Sequence, residues 1–219
     1  MNVKIILADD HKIMREGLRS LLDQKSDFTV VAEAENGRST VELALRLLPD
    51  VIIMDITMPD LNGIEATRQI LEVDPRIKII ALSVHSDKRF VSKMFAAGAM
   101  GYLRKDCATE ELILAIRTVL QRKMYISPSI AAIAISEGAR GSVLDSKRPP
   151  VDPGLTAKER EILQLVAEGN STKEIATILD VSVKTVESHR LSIMTKLDIR
   201  SIAELTKFAI REGLTGLES

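Results

Sequence analysis

The stretch Val3-Lys4-Ile5-Ile6-Leu7-Ala8-Asp9-Asp10 decides the fold. An apolar run broken only by Lys4 gives way abruptly to two carboxylates. Such a run reads as a strand covered on both faces, because a sheet with helices on each side needs no polar alternation. Comparable runs stand at Phe28–Ala32, Val51–Met54, Ile77–Leu82 and Met100–Leu103. Between them, Lys12–Leu22, Ser39–Leu47, Gly63–Glu72, Lys88–Ala97 and Thr109–Leu120 carry the apolar spacing of amphipathic helices. Gly37, Gly63, Gly98, Pro49, Pro59 and Pro75 punctuate the connections. Regular alternation of strand and helix predicts an α/β fold, a doubly wound parallel sheet.

Working outward, the whole chain has 219 residues, is 45% hydrophobic and carries a formal net charge of -1. That length accommodates one or two domains. The balanced charge argues against a strongly basic nucleic-acid coat or a membrane-surface protein. No apolar run is long enough to span a bilayer, and the N-terminal run turns acidic too soon for a signal peptide. The single cysteine, Cys107, excludes an intrachain disulfide and fits a reducing cytoplasm. An incidental role is expected for it.

The pattern changes after Ile135. Ser136–Gly154 holds three glycines and three prolines and reads as a linker. From Leu155 onward only helical periodicity remains. Thr156-Ala157-Lys158-Glu159 and Ser171-Thr172-Lys173-Glu174 are capping boxes, and Ser182 and Ser201 are further N-cap candidates. Four short helices follow: about Ala157–Glu168, Thr172–Leu179, Val183–Leu197 and Ile202–Glu212. The second and third, joined at Asp180-Val181, form a helix-turn-helix.

Open parallel sheets bind ligands beyond the carboxyl ends of their strands. Asp9, Asp10, Asp55, Ser83 and Lys105 fall there, from four strand ends. Carboxylates crowded together disfavour one another's ionisation. A hard divalent cation relieves this, and Mg²⁺ takes a few carboxylate oxygens while leaving positions for phosphate. Such a site suits phosphoryl transfer to a carboxylate, with Asp55 on the central strand as nucleophile. Each residue also has a plain reading: Asp9 and Asp10 as helix caps, Asp55 as a turn cap, Lys105 as a solvated lysine. Their coincidence at one rim favours the joint reading.

Leu7-Ala8-Asp9-Asp10-His11, Met54-Asp55-Ile56-Thr57-Met58-Pro59-Asp60-Leu61-Asn62-Gly63, Ala81-Leu82-Ser83 and Gly101-Tyr102-Leu103-Arg104-Lys105 together resemble a two-component receiver domain over residues 1–122. The resemblance implies a flavodoxin-like (βα)5 sheet of order 2-1-3-4-5. It implies Asp55 as phosphoacceptor and Mg²⁺ held by Asp9, Asp10, Asp55 and the backbone carbonyl of Thr57. Ser83 and Lys105 match the switch hydroxyl and phosphate-pairing lysine. Tyr102 matches the switch aromatic, whose plain reading is a static tyrosine at the sheet edge. His11 and His85 are expected to be bystanders. The resemblance implies no enzyme toward external substrates, only a domain that promotes its own phosphorylation and dephosphorylation.

Residues 151–216 resemble the LuxR-type helix-turn-helix, on Leu155-Thr156-Ala157-Lys158-Glu159-Arg160-Glu161-Ile162-Leu163, Glu168-Gly169, Glu174-Ile175-Ala176, Leu179, Ser182 to His189 and Lys196-Leu197. With 123–150 as connecting helix and linker, the chain resembles a NarL/FixJ-type response regulator. That implies a sensor histidine kinase, a double-stranded DNA operator and RNA polymerase as partners, a homodimer when phosphorylated, and a cytoplasmic location. The helix Val183–Leu197 would offer Lys184, Thr185, Glu187, Ser188, Leu191 and Ser192 to a major groove. His189 and Arg190 suit phosphate contact, and Lys196 adds a further cation. Glu187 stands where some members have lysine; it either accepts from a cytosine amino group or discriminates against some bases. Between Leu155 and Gly213 nine Lys/Arg face nine Asp/Glu, so a single domain should hold DNA weakly. Alternatives from other classes are a phosphate-independent regulator with a vestigial switch, a metal-dependent phosphohydrolase, and a ligand-sensing regulator.

Overall fold

The computed structural model describes residues 2–84, 88–132 and 154–216. The expected linker, Ser136–Gly154, lies outside them save for Gly154, and so does His85. Two compact units emerge. In the first, β1 (Val3–Ala8), β2 (Phe28–Ala34), β3 (Val51–Asp55), β4 (Lys78–Ser83) and β5 (Gly101–Arg104) alternate with α1 (Lys12–Asp23), α2 (Gly37–Leu47), α3 (Gly63–Val73), α4 (Lys88–Ala96) and α5 (Thr109–Leu120). A short β6 (Tyr125–Ile126) follows. All pairings are parallel.

The sheet order is β2-β1-β3-β4-β5-β6. The expected order is therefore present and is extended by one strand. Periodicity does not reveal β6, since two residues ahead of Pro128 carry no pattern. Its backbone is nonetheless used: Tyr125 N–H donates to the Met100 carbonyl and Ser127 N–H to that of Tyr102. Tyr102 thus lies between β4 and β6, not on the edge strand, and its ring is fully buried.

β3 is buried at every position, as a central strand covered on both sides must be. One apolar layer joins Ile5, Leu7, Ile53, Ile80, Leu82 and Leu103 to Leu112 and Ile116 of α5. The register aligns Ala8 with Met54 and Asp55 with Leu82, so β1, β3 and β4 end in a stagger of one residue each and Asp9, Asp55 and Ser83 share one rim.

The second unit is α6 (Ala157–Ala167), α7 (Thr172–Ile178), α8 (Val183–Leu197) and α9 (Ile202–Arg211). Both capping boxes close in both directions. Ser182 accepts from Thr185 N–H and Ser201 from Glu204 N–H. Each satisfies an otherwise orphaned donor and stabilises by about 1 kcal/mol. Ile162, Leu163, Ile175, Val186, Ile193 and Leu205 form the core that fixes the helices against one another.

Candidate metal centre and nucleic-acid interface

At the sheet rim, Asp55 is buried at the end of β3. Its Oδ1 accepts from Ile56 N–H at 2.7 Å and from Thr57 N–H at 3.4 Å. Its Oδ2 accepts from Lys105 Nζ at 2.7 Å. The same ammonium sits 2.8 Å from Asp9 Oδ2, and its side chain is only 9% exposed. Lys105 is therefore no solvated lysine: it bridges two buried carboxylates. Its placement comes from the backbone, because Lys105 N–H donates to the Ser83 carbonyl and continues the β4–β5 ladder. Ser83 is itself fully buried, in register with Arg104.

Burial pushes the Asp55 carboxyl up, to about 7; Lys105 opposes the shift and the Asp9 charge reinforces it. Burial works against the Lys105 charge, but Asp55 and Asp9 outweigh it and raise the pKa. The site is thus a stressed anionic cluster held by one cation.

Asp9, Asp10, His11 and Asp55 each present a ligand atom, all within 4.8 Å of one another. Asp9 Oδ2 is buried and receives no well-directed hydrogen bond, only the ion pair with Lys105. An anionic oxygen with unused lone pairs beside a second buried carboxylate and the exposed Asp10 fits a hard dication. His11 Nδ1 lies 2.8 Å from Asp10 Oδ1, at the edge of this group.

Three residues support the site in ways that only the tertiary structure shows. Arg15 on α1 donates to the Asp9 carbonyl and pairs with Glu33, which ties the acidic turn to α1 and β2. Asn62 is buried, and its Oδ1 accepts from both Ile64 and Glu65 N–H at 3.0 Å, so it caps α3. Gly63 lies against the phosphoacceptor strand: a Cβ there would stand 1.9 Å from the Asp55 carbonyl oxygen. The Asn-Gly pair before a helical pattern signals a cap, but only the tertiary approach explains the glycine. Cys107 is half-buried, and burial, then Glu111 and Asp106, push its thiol up to about 11. The thiolate is therefore scarce at neutral pH.

In the second unit, α8 turns one stripe to solvent: Lys184, Glu187, Ser188, Leu191 and Thr195 are exposed. The other expected DNA residues lie on its flanks. Ser192 Oγ donates to Glu159 Oε1 at 2.7 Å, and Lys196 Nζ donates to Glu159 Oε2 at 2.7 Å and to the Gly154 carbonyl at 3.1 Å. Arg190 Nη1 donates to Thr172 Oγ1 at 2.8 Å, joining α8 to α7. Thr185 hydrogen-bonds with the Ser182 cap, and His189 is half-buried. Glu159 closes the α6 capping box with the same carboxylate that grips Ser192 and Lys196. Burial works to raise its pKa, but Lys196, Thr156 and Ser192 together lower it to about 2.

A parallel sheet with a carboxylate–lysine pocket at its rim, followed by a capped helix-turn-helix unit, defines a receiver joined to a DNA-binding domain. Comparison with known proteins agrees. Residues 5–117 match the response regulator receiver domain, and residues 153–209 match the bacterial regulatory proteins of the luxR family. The chain is similar to the oxygen regulatory protein NreC of Staphylococcus epidermidis, at 39% identity over 215 residues, covering 97% of this chain and 99% of the relative. It is also similar to the transcriptional regulatory protein DegU of Brevibacillus brevis, at 35% identity over 96% of this chain and 94% of that one. Among solved structures, the complex of the two-component response regulator RcsB with DNA superposes with a TM-score of 0.59 at 28% identity, covering 95% of this chain and 98% of that one. The chain belongs to the DNA-binding response regulators of two-component systems, with a LuxR-type helix-turn-helix. Among the described residues, no helix is long and apolar enough to cross a membrane.

Proposed function

We propose that Asp55 is the phosphoacceptor through which a sensor histidine kinase controls this regulator's binding to DNA. The observation that carries the reading is the single ammonium of Lys105 shared between Asp55 and Asp9, at 2.7 and 2.8 Å. A carboxylate can accept a phosphoryl group where cations stand ready to take up the charge on its oxygens, and Lys105 already lies against Asp55. Asp55 attacks the phosphorus of a phosphohistidine. The phosphorus–nitrogen bond breaks, the leaving imidazole takes a proton, and an acyl phosphate remains on Asp55.

Asp9, Asp10, Asp55 and the Thr57 carbonyl would hold Mg²⁺, which supplies positive charge against the phosphoryl oxygens. Lys105 then turns from carboxylate to phosphate. Ser83 donates a hydrogen bond to the phosphoryl group, and the buried Tyr102 ring fills the space this vacates. Repacking along β4 and β5 favours a homodimer, whose paired domains bind an operator and act on RNA polymerase. The regulator works in the cytoplasm and turns over no external substrate. The receiver spans residues 1–122 and the DNA-binding domain residues 151–216.

The test is intact-mass spectrometry of the full chain with acetyl phosphate and Mg²⁺. A single phosphate adduct should form, disappear in Asp55→Asn, and fail to form with a chelator present. Wild-type protein that never acquires an Asp55-dependent adduct sinks the switch.

A further inference from the structure

We infer that Glu187 and Leu191 are the specificity-determining residues of the recognition helix α8, reading a cytosine amino group and a neighbouring thymine methyl. The inference rests on the DNA-binding reading and gives it a sequence. Both flanks of α8 are committed within the domain: Ser192 and Lys196 to Glu159, Arg190 to Thr172. What remains outward is the stripe of Lys184, Glu187, Ser188, Leu191 and Thr195.

Within that stripe two side chains stand out chemically, an exposed aliphatic and an acid. Leu191 is 69% exposed, on a helix whose core contacts are made by Val186 and Ile193. Glu187 has no hydrogen bond or ion pair among the described residues. An unpaired carboxylate facing a polyanion is repelled unless a donor meets it. In the major groove the cytosine N4 amino group is such a donor, and no acceptor on the cytosine edge opposes it there. Adenine also offers an amino group, but its N7 acceptor stands beside it and repels a carboxylate. An exposed aliphatic side chain in a groove matches the thymine methyl, the one apolar group there.

The spacing supports a joint reading. Glu187 and Leu191 are four residues apart, about 6 Å along the axis. Base steps along one strand are about 3.4 Å, so the two side chains address base pairs one or two steps apart. Within the stripe Lys184 and Glu187 cancel, and the exposed Lys196 beside it is already paired with Glu159. Discrimination must then come from base edges more than from phosphates.

Operator selection from random DNA, using the full chain with acetyl phosphate and Mg²⁺, tests this. The expected half-site holds a cytosine and a thymine within two positions of each other. Glu187→Gln should move preference at the cytosine position toward adenine, which a carboxamide pairs with. Replacing the thymine by deoxyuridine should weaken wild-type binding about fivefold or more, on the scale of one mismatched pair. It should leave Leu191→Ala nearly unaffected. Unchanged base preferences in both variants overturn the assignment while leaving DNA binding intact. Uniformly tighter binding of Glu187→Gln to every sequence also overturns it, because Glu187 then only repels. No enriched sequence at all would overturn the DNA-binding reading together with this one. Both positions are exposed, so unaltered thermal unfolding is expected in both variants.

Discussion

Two buried carboxylates, each 2.7 Å from a lysine ammonium, behave in opposite ways. Asp55 at the receiver rim is pushed up to about 7, whereas Glu159 under the recognition helix is held down at about 2. Distance to the cation does not separate them. Burial does, with the other neighbours: it is the largest push at Asp55 and the Asp9 charge adds to it, whereas at Glu159 the hydrogen bonds overcome it. Asp55 stands with Asp9 and Asp10 at the end of a fully buried strand, so its lysine is divided among anions. Glu159 accepts from Thr156 N–H, Ser192 Oγ and Lys196 Nζ. A carboxylate under stress is poised to take a ligand; a carboxylate fully satisfied holds helices together.

The largest effect should come from displacing the stressed group. Gly63→Ala places a methyl against the Asp55 carbonyl oxygen. A loss of about 3 kcal/mol in urea unfolding, with phosphate uptake abolished, is expected from such overpacking. Retention of both would show that the β3–α3 turn yields easily. Next, Glu159→Ala removes a cap and leaves Lys196 without its acid; about 2 kcal/mol should be lost. DNA affinity should fall without a change in the slope of affinity against salt. A slope steeper by about 1 would instead show that the released Lys196 has taken up a phosphate contact.

A smaller effect of opposite sign is expected at Asp55. The folded state binds this proton more tightly than the unfolded chain, so its ionisation lowers stability as pH rises toward and through about 7. Asp55→Asn should therefore stabilise the metal-free protein at pH 8 by about 1 kcal/mol. The gain should shrink as the pH is lowered below 7. Equal stabilisation at pH 5 and pH 8 would contradict a raised pKa.

Glu159 gives the finest contrast. Its pKa is depressed when folded, so its contribution is complete above the ordinary carboxylate range and is lost as pH falls toward 2. Other acids titrate in that window, so the measurement is the difference between wild type and Glu159→Gln in urea midpoint. That difference should narrow between pH 5 and pH 3.

Much of this was legible in the order of residues. Strand ends that break from Ala8 to Asp9-Asp10 and from Met54 to Asp55 expose the pocket, because a period of two and a parallel sheet leave carboxyl ends at one rim. The caps at Thr156, Ser171, Ser182 and Ser201 were legible too, since each acts within its own turn. Less visible was which face of α8 faces out. Ser192, Arg190 and Lys196, expected toward DNA, also bind Glu159 and Thr172, which stand 33, 18 and 37 positions away and which no local pattern points to.

The sequence by itself determined the alternation of elements, the approximate helix positions and the identities gathered at the rim, because these depend on local propensity, capping and periodicity. Only the tertiary structure decided that Lys105 bridges Asp9 and Asp55, that Gly63 must lie bare against Asp55, and that β6 covers Tyr102. Those facts depend on distances between segments remote in the chain, and no local energy term encodes such a distance until the core has closed.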